Sequence, residues 1–147
     1  MKNLSPIILF IYNRPWHTQQ TIEALQKNEL ASESDLIIYS DEAKTENEQE
    51  NVDKVRLYIE QIDTFNKITI IKREKNWGLA NNIIDGVTKV VDQYGKIIVI
   101  EDDIVTSPYF LKYMNEALDY YKDKNKVWHI SGWNYPIATN ELSDVFL

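Results

Sequence analysis

The chain has 147 residues, of which 44% are hydrophobic and 12% aromatic, and its formal net charge is -7 at pH 7. This length and composition predict about one folded domain with a substantial core and exclude a disordered chain. No apolar stretch approaches the length of a membrane span, and the acidic charge argues against a general nucleic-acid binder, which needs a basic surface.

The sequence contains no cysteine, which excludes disulfides, zinc-thiolate sites and thiol nucleophiles and fits a reducing compartment. The first apolar run, Pro6 to Tyr12, is too short for a signal peptide and lacks a small-residue cleavage site. We therefore expect a soluble, cytoplasmic protein without a transmembrane segment.

Short apolar runs rich in β-branched residues recur at intervals of roughly thirty residues and predict strands. They are Ile7 to Tyr12, Leu36 to Ser40, Ile68 to Ile71, Ile97 to Ile100 and Val127 to Ser131.

Helical patterns separate these runs: Pro15 to Lys27, Thr45 to Gln61, Leu79 to Tyr94 and Ser107 to Lys122. The third carries an apolar stripe at +4 and +3 spacing and is followed by Gly95, where a left-handed cap is expected. In the fourth, Ser107 is the expected cap and Pro108 the first helical residue. We interpret the acids between Asp41 and Glu60 as the solvated face of the second helix.

Strands that alternate with helices and are apolar on both faces are typical of an open, mostly parallel α/β sheet with helices on both faces. We expect residues 1–135 to form this domain. Residues 136–147 have no convincing periodicity and end in Phe146 and Leu147. We interpret them as an irregular tail and expect the chain to be cut from something longer.

Three acids in succession follow the fourth predicted strand. Lys96 to Asp103 reads KIIVIEDD, so four aliphatic residues with the pattern of a fully buried strand end in Glu101, Asp102 and Asp103. Two carboxylates about 4 Å apart repel by roughly 4 kcal/mol at an effective dielectric of about 20. A divalent metal such as Mg²⁺ or Mn²⁺ relieves this repulsion, because it takes carboxylate oxygens together with phosphate oxygens of a substrate.

Polar residues follow each of the first four predicted strands: Asn13 and Arg14, Asp41, Arg73 to Gly78, and Glu101 to Asp103. In a nucleotide-binding sheet of order 3-2-1-4, the first and fourth strands are neighbours at the point where ligands dock. This order places Arg14 beside the carboxylates, where a guanidinium and a metal suit a diphosphate. A structural ion pair of Arg14 with Asp41 or Glu101 explains the same charges equally well.

Segments along nearly the whole chain also carry a family resemblance. They are PIILFIYNRP (Pro6 to Pro15), IYSD (Ile38 to Asp41), NWGLA (Asn76 to Ala80), VIEDD (Val99 to Asp103) and SGWN (Ser131 to Asn134). In this order they resemble the sugar-nucleotide half of GT-A glycosyltransferases, and most of all the N-acetylglucosaminyltransferase I type and its bacterial relatives. The resemblance implies hexosyl or N-acetylhexosaminyl transfer, of the inverting kind, from a nucleoside diphosphate sugar such as a UDP-sugar to a glycan or other hydroxyl acceptor.

The resemblance also implies roles for the three acids. Asp103 would be the direct ligand of Mn²⁺ or Mg²⁺, with Asp102 beside it as a second candidate ligand. Glu101 and Asp102 would hydrogen-bond the ribose and the sugar of the donor.

Other site residues follow from the same resemblance. Asn13 and Arg14 resemble the loop that binds nucleotide and phosphate, and Asp41 resembles the carboxylate that reads the uracil edge. Trp133 and Asn134 resemble residues that border the donor sugar.

The turn from Asn76 to Gly78 opens a helix whose amino end would also face the phosphates. This segment departs from the glucosaminyltransferase pattern and resembles the general family 2 transferases more. The resembled inverting enzymes take their general base from a second, acceptor-binding half, so we expect the base beyond Leu147 and residues 136–147 to begin that half.

Three enzyme or module classes share parts of this pattern. A sugar-nucleotide pyrophosphorylase needs a glycine-rich loop ending in lysine after the first strand, an ATPase needs a Gly-x4-Gly-Lys loop, and a receiver module needs an acidic pair there; this chain has Asn13-Arg14-Pro15. A non-catalytic nucleotide- or sugar-binding module stays open as an alternative, as does a pyrophosphorylase-like nucleotidyltransferase.

Overall fold

A computed structural model of the protein describes residues 4–133. Its strands are β1 (Ile7–Ile11), β2 (Asp35–Ser40), β3 (Lys67–Lys72) and β4 (Ile98–Glu101). Its α-helices are α1 (Pro15–Gln26), α2 (Glu46–Ile59), α3 (Leu79–Tyr94) and α4 (Phe110–Tyr121), and a short 3-10 helix spans Ala31–Glu33.

The four strands form one parallel sheet in the order β3-β2-β1-β4. Ile7 is paired with Leu36 on one side and with Ile98 on the other, so β1 lies inside the sheet between β2 and β4. All five residues of β1 are buried, as a central parallel strand requires. The predicted order is therefore confirmed, and the carboxyl ends of β1 and β4 are adjacent.

Alternate residues of β1 point to two different helix layers. Ile7, Leu9 and Ile11 belong to an apolar cluster that includes residues of α1, α2 and α4. Ile8 and Phe10 belong to a second cluster on the opposite face, which includes residues of α3. Because strand side chains alternate between faces, the sheet is covered on both sides, as predicted.

Helix α3 begins and ends where its pattern predicted, and Gly95 after it has a left-handed φ of 72°. Helix α4 starts later than expected, at Phe110, so the prediction of Ser107 as cap and Pro108 as first helical residue was wrong. The reason is a distant side chain: Asn28 Oδ1 accepts the N–H of Leu111 at 3.0 Å, which in a longer helix would bond Ser107. Pro108 is held instead through its carbonyl, which accepts the N–H of Glu29.

The predicted fifth strand, residues 127–131, is not a strand. Within residues 4–133 it has no strand beside it, and an extended run without a partner gains no ladder hydrogen bonds. Its side chains are mostly exposed, with Trp128 at 93%. Strand β4 is therefore an edge of the described sheet, and Val99, expected to be fully buried, is 41% exposed.

Across residues 4–133, no helix combines the length and the apolar character that crossing a membrane requires. The predicted tail, residues 136–147, lies outside the described residues.

Candidate functional site

A cavity of about 280 Å³ opens where the carboxyl ends of β1, β2 and β4 meet the start of α3. Residues predicted for the site from sequence make up part of its wall: Arg14, Asp41, Asn76, Gly78, Glu101 and Asp102. Further wall residues were not predicted: Phe10, Ile11, Tyr12, Tyr39, Lys44, Glu48, Leu79 and Asn82. The parallel sheet thus brings polar groups from distant segments to one edge, as expected for a doubly wound fold.

Arg14 contacts two of the three consecutive acids. Its Nη1 donates to Asp103 Oδ2 at 3.0 Å, and its Nη2 lies 3.4 Å from Asp102 Oδ1. The guanidinium therefore faces the carboxylates from the end of β1, as the predicted strand order required. Its ion-pair partners in residues 4–133 are these two acids, rather than the Asp41 or Glu101 considered as an alternative.

Asp102 and Asp103 differ in exposure. The Asp102 side chain is 5% exposed and accepts the N–H of Tyr12 at 3.4 Å, whereas the Asp103 side chain is 45% exposed. The Thr21 hydroxyl donates to the backbone carbonyl of Asp102 at 3.0 Å and anchors the turn to α1. Burial raises the pKa of Asp102, and the Arg14 guanidinium opposes that rise. Asp103 is the acid that a ligand reaches more readily.

The carboxylates of Asp102 and Asp103 suit a divalent metal that is held jointly by the protein and a substrate. In the described part of the chain, no three histidine or acidic side chains converge into a metal-holding group. Mg²⁺ and Mn²⁺ do not require one, because they are commonly held by one or two carboxylates plus phosphate oxygens and water. Asp102, in the wall of the cavity, and Asp103 beside it supply carboxylates of this kind.

Asp41 fixes the turn between β3 and α3. Its Oδ1 accepts the N–H of Trp77 at 2.9 Å and of Glu42 at 3.0 Å, and its Oδ2 accepts the N–H of Gly78 at 2.9 Å. The interpretation of this acid as part of a solvated helix face was wrong, because Asp41 is 5% exposed and precedes α2. Gly78 has φ 74°, a conformation that favours glycine.

The same turn is tied to the loop after β2 by an arginine that the sequence interpretation missed. Arg56 of α2 pairs with Glu42 at 2.8 Å and donates to the carbonyl of Arg73 at 2.9 Å. Asn76 Nδ2 donates to the Glu42 carbonyl at 2.7 Å. Burial tends to raise the pKa of the Glu42 carboxyl. Hydrogen bonds from the Ala43 N–H and from Arg56 outweigh this effect and hold the pKa of Glu42 below its usual value. The one available signal was a basic residue next to the apolar stripe of an acidic helix.

Arg73, which the sequence placed among the polar residues after the third strand without a specific role, is buried. Its guanidinium carbon lies 3.8 Å from the ring centre of Trp77 and 4.9 Å from that of Tyr39. Its Nε donates to Asn82 Oδ1 at 2.8 Å, and its Nη2 pairs with Asp85. An arginine directly after β3 was the sequence signal. This arrangement stabilises the wall formed by the β3–α3 turn.

Asn13 is held by the start of α2. Its Nδ2 donates to Glu48 Oε1 at 2.9 Å, while Glu48 Oε2 accepts the N–H and the hydroxyl of Thr45 in a capping box. The neighbouring Tyr12 hydroxyl accepts the N–H of Lys44 at 2.9 Å. The loop after β1 is therefore linked to the loop before α2.

Trp133 lies apart from the smaller cavity. It is 67% exposed and lines a larger groove of about 1010 Å³ bordered by α3, β4 and α4. Asn134, predicted beside it at the donor sugar, lies outside the described residues. The structure thus brings most of the predicted site residues to one edge of the sheet, but Asn13, Asp103 and Trp133 do not line the smaller cavity.

Comparison with known proteins agrees with this architecture. The fold is that of GT-A glycosyltransferases: the crystal structure of S. aureus TarS matches with a TM-score of 0.50 and 15% sequence identity. That match covers 80% of this chain and 20% of the TarS chain. The sequence pattern of glycosyl transferase family 2 matches residues 7–132, and the chain belongs to this family. The search of curated proteins found no match.

Proposed function

We propose that this chain is the donor-binding part of a glycosyltransferase that takes its sugar from a nucleoside diphosphate donor, specifically a UDP-sugar. The acceptor is a hydroxyl group of a glycan or other molecule. One observation carries the proposal: Arg14 and the carboxylates of Asp102 and Asp103 meet beside the cavity at the carboxyl ends of β1 and β4. Such an edge of a parallel sheet is where nucleotides bind.

The chemistry follows from the charges at this edge. Sugar transfer leaves negative charge on the departing diphosphate, and Arg14 offers a guanidinium that can bond two phosphate oxygens at once. Asp103 and Asp102 are the residues that would hold Mn²⁺ or Mg²⁺. When bound, that ion supplies further positive charge for the leaving group.

The remaining wall suits the other parts of the donor. Glu101, the last residue of β4, borders the cavity and offers a carboxylate to ribose or sugar hydroxyls. The ring of Tyr12 offers apolar area for a base. Asp41 Oδ2 accepts one N–H and so keeps acceptor capacity for the edge of a uracil.

Finer features of the function remain predictions. They are an N-acetylglucosaminyltransferase I-like type, hexosyl or N-acetylhexosaminyl transfer with inversion, and a general base located beyond Leu147. A base is required in any case, because the acceptor hydroxyl must lose its proton as it attacks.

Isothermal titration with UDP, in the presence and absence of Mn²⁺, tests the donor site. We expect binding that depends on Mn²⁺ and weakens at least about tenfold in Asp103→Asn, which removes one charged metal ligand. Asp92→Asn, an exposed acid on α3, is the matched control and should bind like wild type. Metal-independent binding, or equal affinity in Asp103→Asn, contradicts the site.

Two further measurements separate the alternatives. Parallel titrations with ADP, GDP and CDP show whether the pocket selects uridine. Release of UDP from a UDP-sugar in the presence of glycan acceptors distinguishes an enzyme from a non-catalytic binding module.

A further inference from the structure

We propose that Arg14 couples the binding of the divalent cation to the binding of the diphosphate. Arg14 and the cation compete for the same carboxylate, and the diphosphate relieves the competition by giving Arg14 a new partner. This inference rests on the proposed function, because it assigns a second role to a residue of that site.

The competition follows from the atoms involved. Arg14 Nη1 donates to Asp103 Oδ2 at 3.0 Å, and Arg14 Nη2 lies 3.4 Å from Asp102 Oδ1. These carboxylate oxygens are also the ones a hard cation would use. A guanidinium and a divalent cation on the same carboxylate repel each other, so each weakens the binding of the other.

The two ion pairs of Arg14 differ in how readily they exchange. The Arg14 and Asp103 side chains are 48% and 45% exposed, and an ion pair in water of this kind is weak. Asp102 is 5% exposed and also accepts the N–H of Tyr12. Asp103 is therefore the partner that Arg14 can release at low cost.

The backbone at Arg14 is held by local contacts. The residue precedes Pro15, which restricts its backbone, and its carbonyl accepts the N–H of Thr18 at 2.9 Å. A long, half-exposed side chain on a fixed backbone can move its guanidinium by rotamer changes alone. Phosphate oxygens are suitable new partners, because guanidinium bonds them in a bidentate manner.

Thermodynamic linkage makes the consequence measurable. If the diphosphate removes a competitor of the cation, it raises the affinity for the cation, and the cation raises the affinity for the diphosphate by the same factor. Direct contact between cation and phosphate also contributes to this factor. The remaining part of the factor should depend on Arg14.

The experiment titrates Mn²⁺ with and without saturating UDP, following the EPR signal of free Mn²⁺. We expect Arg14→Gln to bind Mn²⁺ alone about two- to fivefold more tightly than wild type, the range that one exposed ion pair provides. The factor by which UDP tightens Mn²⁺ binding should fall by a similar amount. Arg14→Lys, which keeps the charge without the fork, should give an intermediate factor.

Lys54→Gln is the matched control, because it removes one positive charge from an exposed pair with Glu50 on α2. Its Mn²⁺ affinity and its coupling to UDP should equal those of wild type. Urea unfolding of each variant verifies that it is folded. If Arg14→Gln is not folded, Arg14→Lys alone is compared with wild type.

The outcomes separate this inference from the proposed function. If wild type binds neither UDP nor Mn²⁺, the proposed function fails and the inference fails with it. If wild type binds both and the Arg14 variants keep its Mn²⁺ affinity and its coupling, the inference is wrong while the donor site stands.

Discussion

Gly78 donates its backbone N–H to Oδ2 of Asp41 at 2.9 Å and so joins the end of β2 to the start of α3. Trp77 donates in the same way to Oδ1 of this carboxylate. We expect Asp41→Asn to lower the free energy of unfolding by about 1.5–3 kcal/mol, because an amide NH₂ cannot accept and would face a donor. Urea unfolding measures the loss, and amide hydrogen exchange should accelerate at Trp77 and Gly78.

The control for this variant is Asp53→Asn, an exposed acid of α2, which should change the free energy of unfolding by less than about 0.5 kcal/mol. If Asp41→Asn is equally mild and the two amides keep their protection, the carboxylate does not hold the turn.

Arg73 should not be replaceable by lysine. Arg73→Lys keeps a positive charge but loses the planar group between Trp77 and Tyr39 and the donors to Asn82 and Asp85. We expect a destabilisation of about 1.5–3 kcal/mol in urea unfolding. A cost within about 0.5 kcal/mol, as for an ordinary surface substitution, would argue that stacking and fork geometry contribute little.

The Arg73 pair also predicts how stability depends on pH. The hydrogen bond from Arg73, followed by that from Lys89, lowers the pKa of Asp85 from its ordinary value of 3.8. A lowered carboxyl pKa in the folded protein stabilises it above the unfolded value, and this contribution is lost as pH falls through the folded pKa. Asp85→Asn should therefore be less stable than wild type near neutral pH, and the difference should shrink below 3.8.

Urea unfolding at several pH values, from about pH 6 to about pH 3, measures this difference. Asp92→Asn is the reference, because Asp92 is an exposed acid on the same helix. It shows the effect of removing a carboxylate that has no contact with Arg73. A difference between wild type and Asp85→Asn that grows as pH falls would have the wrong sign.

Close packing of α3 on β1 predicts the effect of a single methyl group. A Cβ at Gly86 would lie 2.8 Å from Ile8 Cδ1 and 3.0 Å from the Phe10 ring. Inside a helix, alanine stabilises the folded state by about 1 kcal/mol relative to glycine. Overpacking of a core destabilises it by about 1–3 kcal/mol. We expect Gly86→Ala to destabilise the protein and Ile8→Val to recover part of the loss.

Thr88→Ala, on the exposed side of the same helix, raises the helix propensity without adding a contact to the sheet. It should be neutral or slightly stabilising. If Gly86→Ala gains as much as Thr88→Ala, the helix and strand do not pack as closely as their backbones indicate.

Much of the fold was predictable because its signals are local. The buried run Ile7–Ile11 and the stripe that ends at Gly95 each depend on residues within a few positions of one another. The start of α4 was not predictable in this way, because the N–H of Leu111 bonds Asn28, 83 residues earlier. The run at residues 127–131 has a strand-like composition, but a strand also requires a neighbour, and composition does not show one.

The sequence by itself determined the order of the strands β1 to β4 and of the helices between them, because the hydrophobic period is a short-range property. It also placed Arg14, Asp41 and the three acids Glu101, Asp102 and Asp103 at the ends of strands. Only the tertiary structure decided which of these groups touch. It paired Arg14 with Asp103, 89 residues away, and it enclosed Asp41 among the amides of a turn 36 residues further on. Such contacts depend on how parallel strands are ordered and how closely helices cover them, which no local stretch of sequence contains.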